Sequence, residues 1–219
     1  NFIFSLLSIV DRFIQMIENY AMVNTDIPVS ADSLPKIKLS WVNLNVRVRL
    51  PLPSLITRIK KRNEPSLRKK QILFQVNGEA YSGLMLAIMG ESGSGKTTLL
   101  NTLAGIRSKK MKVEGQILLN GRPTDIAPLS AYVEQSDLFI PTLTVKEHLL
   151  FNGQLVLANQ MTPDEIHKKV EHLLMEFGLE KCKNTQIGSA QTRKGISGGE
   201  CRRLAIAAQV VTNPRIIFL

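Results

Sequence analysis

Apolar positions recur along the chain at two different periods, and the switches between them outline its elements. Phe2, Ile3, Leu6, Leu7, Val10, Phe13, Ile14 and Ile17 fall on one side of a helix, interrupted by Asp11 and Arg12. The spacing predicts an amphipathic helix over 1–20 that packs on its own domain or a neighbour. Its mixed charges favour that packing over the alternative, a helix lying on a membrane surface. Pro28 and Pro35 among Ser and Asp predict a linker over 24–36. The alternation of Val42, Leu44, Val46 and Val48 predicts a strand over 39–50, and 72–76 a second. The proline-punctuated stretch between them predicts an exposed loop.

Leu84 to Met89 is uninterrupted apolar sequence, which predicts a strand buried on both faces. Leu99, Leu100, Leu103 and Ile106 then line one face of a helix predicted over 96–106. Short strands are predicted at 115–119 and 131–134, with a turn at Asn120-Gly121. Thr144-x-x-Glu147 and Thr162-x-x-Glu165 fit the capping box that opens a helix, the second with Pro163 at its first position. The second of these helices is expected to bury Ile166, Val170, Leu173, Leu174 and Phe177 and to stop at Gly178. A last helix over about 198–211 should end before Pro214. The chain opens at Asn1 rather than Met, and 215–219 reads as a strand cut off, so a piece of a longer protein is expected.

Composition narrows the class. The chain has 219 residues, 44% hydrophobic and 21% charged, enough for one α/β domain with extensions. A net charge of +10 first suggests nucleic acid. That charge is concentrated between Arg47 and Lys70, which holds nine basic residues and one acid, Glu64, so nucleic acid is not the expected partner. Cys182 and Cys201 make no disulfide or metal framework, and His148, His167 and His172 lack ligand spacing. No apolar run is long enough to cross a bilayer. Trp41 reads as a half-buried core residue in preference to an adenine-stacking one.

The chemistry begins at Gly90-Glu91-Ser92-Gly93-Ser94-Gly95-Lys96-Thr97, which matches G-x-x-x-x-G-K-[ST] in full. Backbone N–H groups must wrap two phosphates there, and side chains at the tight positions would block the approach. A helix opening at Lys96 adds the positive end of its dipole. Lys96 is expected on the β- and γ-phosphates, the Thr97 hydroxyl on Mg²⁺, and Thr98 near the α-phosphate. This motif alone leaves every class of P-loop NTPase open.

Ile196-Ser197-Gly198-Gly199-Glu200 lies 101 residues from Lys96 to Ser197 and resembles the L-S-G-G-Q signature of the ATP-binding cassette (ABC) family. Tyr132-Val133-Glu134-Gln135 stands between the two motifs and puts Gln135 where that family carries its Q-loop glutamine. The resemblance covers roughly 38–219. Thr97 to Ala104, Ala131 to Phe139, Leu143 to Leu149 and Leu179 to Gly188 are similar to the G subfamily, White-type half-transporters.

That resemblance implies a P-loop NTPase, RecA-like α/β core with an antiparallel β subdomain and an inserted helical subdomain at about 137–211. The nucleotide-binding domain would occupy 37–219, after an extension over 1–36. It implies ATP and Mg²⁺ as ligands, with Thr97 and Gln135 on the metal. It also implies a second half-transporter cassette as partner, identical or related. Ser197, Gly198, Gly199 and Glu200 would then face the γ-phosphate held by that neighbour. The domain would lie on the cytosolic side of a multi-pass membrane protein whose transmembrane helices follow it. Two departures stand out. Cys201 replaces the usual Arg or Lys, which should alter a surface contact. The sequence stops before the Walker B Asp, the catalytic Glu and the switch His, so the chain by itself is expected to be hydrolysis-deficient. A soluble ABC ATPase acting on nucleic acid or ribosomes, or a non-catalytic nucleotide-binding module, remains open at this point.

Overall fold

The computed structural model describes residues 37–49, 69–135, 139–188 and 195–219. The predicted helix over 1–20, the linker over 24–36 and most of the basic stretch lie outside these residues. The described chain divides into two compact units, one ending at Pro128 and the other beginning at Leu129.

The first unit is built on an antiparallel sheet. Its strands are β1 (Lys38–Arg49), β2 (Lys69–Tyr81), β3 (Met111–Leu119) and β4 (Arg122–Pro123), in the order β2-β1-β3-β4. Helix α1 (Lys96–Leu103) belongs to the same unit. Strand β1 departs from the expected simple alternation. Leu39 and Trp41 are buried, Val42 is exposed, and Leu44 and Val46 are buried again. An irregularity between Trp41 and Leu44 shifts the register, with Asn43 at φ 51°. One inserted residue lets odd and even positions share the inner face. Trp41 is 4% exposed and lies over Gly78, where an added Cβ would stand 2.3 Å from the ring. It is a core residue.

Two further expectations are corrected. None of the described strands pairs with 84–89, and Leu84, Met85, Leu86 and Met89 are exposed. A continuous apolar run requires strands on both sides to be buried, and no described strand supplies them. Helix α1 ends at Leu103, short of Ile106. The N–H groups of Gly105 and Ile106 turn back to Thr102 and Asn101, which closes the helix and leaves Ile106 exposed.

The second unit comprises β5 (Ser130–Tyr132), α2 (Val145–Leu157), α3 (Pro163–Glu176), α4 (Gly198–Val210) and β6 (Ile216–Phe218). Strands β5 and β6 pair in parallel, and Val133 N–H extends the ladder to Phe218. Both predicted capping boxes form: Thr144 N–H donates to Glu147 at 2.8 Å and Thr162 N–H to Glu165 at 2.7 Å. Past α3, Gly178 and Leu179 donate back to Met175 and Leu174, the expected stop. Ile166, Val170, Leu173 and Leu174 pack against Leu149 of α2 and Leu204 of α4, all at most 2% exposed.

His148 lies in this core. Its ring meets Phe139 edge-on at 5.0 Å, and Asn152 Nδ2 donates to its Nε2 at 3.0 Å. Burial lowers its pKa below the ordinary value of 6.5. Above that value the ring is neutral folded or unfolded, and the unit keeps its full stability. As pH falls through it towards the folded value, the unfolded chain takes up the proton first and stability is lost. Urea midpoints should therefore fall as pH drops below about 6.5, and His148→Gln should flatten that slope.

Candidate functional site

The first unit presents the glycine-rich loop. Gly95 sits at the N-cap of α1 with φ 98°, and a Cβ there would come within 3.0 Å of Leu73 and 3.2 Å of Ile72 on β2. Only glycine lets the backbone pass so close to the sheet in that conformation. Ser94 N–H donates to Glu91 O at 3.2 Å, tightening the turn. Lys96 folds back, its Nζ donating to Gly90 O at 2.8 Å and to Glu91 O at 2.7 Å.

Leu99 and Leu103 bury one side of α1, and Thr102 bonds Thr98 O at 2.6 Å. That seating leaves Thr97 exposed at the helix start, with Thr98 beside it half-buried. Gly90, Glu91, Ser92, Gly93 and Ser94 are exposed as well. Gly93 makes no hydrogen bond among the described residues, and α1 has no acid in its first turn. The donor set fits a polyphosphate: backbone amides, one ammonium and a positive helix end, with a hydroxyl beside them for a hard cation.

The second unit carries the other predicted groups. Gln135 is exposed two residues beyond the Val133–Phe218 bond, where the chain leaves the sheet. Ser197 caps α4 through a third capping box. Its N–H and hydroxyl donate to Glu200 Oε2 at 2.7 and 2.8 Å, and Glu200 N–H returns to Ser197 Oγ at 3.3 Å. The bond from Ser197 N–H, more than any other contact, holds the Glu200 carboxyl below the usual range. Ser197, Gly198 and Gly199 are exposed at the start of α4. Glu200 thus holds the serine rather than standing free. Cys201 is half-buried, and burial, with Glu200 nearby, pushes the Cys182 thiol up.

Two residues at this site escaped the sequence reading. Gly195 runs so close to Ile187 that an added Cβ would stand 1.8 Å from its carbonyl oxygen. Arg202 on α4 donates from Nη1 to Glu134 O at 2.6 Å. The first lies one residue before Ile196 and could have been singled out by position alone. The second has no local signal, because its partner is 68 residues away. Among the described residues no group of acids, His and Cys could hold a metal by itself, and no helix is long and apolar enough to cross a membrane.

Comparison with known proteins gives the family. Residues 73–219 match the family model described as ABC transporter. The chain is 41% identical over 184 residues to the ABC transporter ATP-binding protein/permease wht-1 of Caenorhabditis elegans, covering 82% of this chain and 27% of that protein. It is 38% identical over 217 residues to Protein white of Ceratitis capitata, covering 92% and 31%. It is 37% identical over 190 residues to ABC transporter G family member 7 of Arabidopsis thaliana, covering 85% and 24%. The chain therefore spans less than a third of the length of these relatives. The matched stretch contains the glycine-rich loop of Gly90 to Thr97, Gln135 and the Ser197-led helix start, and by it the chain belongs to the ABC transporter family.

Proposed function

We propose that this chain is the ATP-binding cassette of a White-type half-transporter of the G subfamily. The intact protein would couple ATP binding and hydrolysis to movement of a substrate across a membrane. The cassette would comprise 37–219, with a RecA-like core, an antiparallel β subdomain and a helical subdomain at about 137–211, behind an extension over 1–36. The loop of Gly90 to Thr97, seated on β2 and closed by Lys96, supports this reading most strongly.

On this reading ATP enters by displacement. Lys96 gives up the carbonyls of Gly90 and Glu91 for the β- and γ-phosphates, and the loop amides close on the same oxygens. Thr97 would offer its hydroxyl to Mg²⁺, which when bound supplies charge that neutralises the phosphates, and Gln135 is proposed as a further ligand of that ion. A second cassette, identical or related, brings its own Ser197, Gly198 and Gly199 to the γ-phosphate. Its Glu200 keeps that serine in place. Contacts made only in the closed pair shift the population towards closure, which is how nucleotide moves the membrane part. The cassette lies on the cytosolic side, and hydrolysis belongs to the assembled protein.

Metal dependence tests the reading. ATP should bind the intact protein more tightly with Mg²⁺ than with EDTA. Thr97→Ala should remove about tenfold of that difference, the worth of one strong polar contact. Equal affinity with and without Mg²⁺ in the unsubstituted protein would contradict the assignment of Thr97 and Gln135.

A further inference from the structure

The peptide unit before Gln135 is held from the helix that begins at Ser197. Strand β5 pairs with β6 only as far as Val133, whose N–H donates to Phe218 O at 2.8 Å. One residue on, the ladder no longer fixes the chain, and Arg202 takes over: its guanidinium reaches Glu134 O at 2.6 Å. This bond is short and charge-assisted, in the stronger class of protein hydrogen bonds. The carbonyl of Glu134 and the N–H of Gln135 share one rigid peptide plane. Holding one end of that plane sets the direction in which the Gln135 residue leaves it.

Arg202 also stands close to the start of α4. It lies five residues after Ser197, and the capping box with Glu200 fixes that end of the helix. The next residues, Leu204 to Ala207, are buried in the core of the unit, so α4 answers a push at its start as a body. The Arg202 side chain thus links the helix that Ser197 opens to Glu134.

We infer that Arg202 is a positioning residue for Gln135. It ties the peptide preceding that glutamine to the signature helix, so that engagement of Ser197, Gly198 and Gly199 and the orientation of Gln135 form one event. The inference rests on the reading of Gln135 as a Mg²⁺ contact.

The test measures ATP affinity of the intact protein with Mg²⁺ and with EDTA, for Arg202→Ala, Arg202→Lys, Gln135→Ala and the double variant Gln135→Ala/Arg202→Ala. Arg202→Ala should cut the Mg²⁺-dependent gain in affinity about fivefold, in the range of ordinary coupling between sites, and leave affinity in EDTA unchanged. Arg202→Lys, which keeps a cationic donor, should restore most of the gain. In the Gln135→Ala background Arg202→Ala should cost nothing more. An unchanged gain in Arg202→Ala would overturn the inference. So would an equal loss with and without Mg²⁺, the mark of a merely structural role, or losses that add in the double variant. Failure of the unsubstituted protein to bind ATP would overturn the nucleotide reading, and this inference with it. Normal binding with no effect of Gln135→Ala would remove only the role of Gln135 and its positioning by Arg202.

Discussion

Lys96→Ala should weaken nucleotide binding roughly a hundredfold while leaving the chain folded. Among the described residues the Lys96 ammonium bonds Gly90 O and Glu91 O, both on an exposed loop, so water replaces those bonds at little cost. On the proposed reading the same ammonium is the cationic group of the loop that meets the phosphates. Losing charge-assisted contacts of about 3 kcal/mol weakens binding roughly a hundredfold. Titration of a fluorescent ATP analogue should show that loss, and the urea midpoint should move by no more than about 0.5 kcal/mol equivalent. Lys96→Arg should not restore binding, because a planar fork does not fit a space shaped for a point charge.

Gly195→Ala should act through the backbone. A methyl group at this position would sit 1.8 Å from Ile187 O, where real contacts begin near 3 Å, and the nearby atoms are backbone that cannot swing away. The two segments must part, which breaks the bond from Ile196 N–H to Ile187 O at 3.2 Å and shifts the approach to Ser197. A cost of about 2 kcal/mol or more is expected, at the upper end of overpacking effects. Gly198→Ala is the control: nothing lies within 4 Å of its added Cβ, and alanine suits the helix it opens. Urea unfolding should separate the two variants clearly. Hydrogen exchange at the amides of 196–199 should rise in Gly195→Ala alone.

These two glycines show where sequence reasoning succeeds and where it stops. The glycine-rich turn that opens α1, the two Thr-x-x-Glu helix starts and the stop at Gly178 were legible because each is a local device, set by residues within a few positions of one another. The third box, Ser197 with Glu200, is written in the same code, three residues apart at a helix start. What stayed hidden is non-local. The slip in β1 that turns Val42 outward depends on how two neighbouring strands pair around Asn43. The tight passage at Gly195 and the reach of Arg202 to Glu134 each depend on a second segment that no period reveals. The run from Leu84 to Met89 states a need for flanking strands, and that need does not say which strands meet it.

The most direct test of the nucleotide claim is photolabelling of the folded protein with azido-ATP and Mg²⁺, followed by mapping of the labelled peptide. Label that excess ATP displaces, and that disappears in Lys96→Ala, is the expected result. Label that ATP does not displace, or that survives the loss of Lys96, would contradict it.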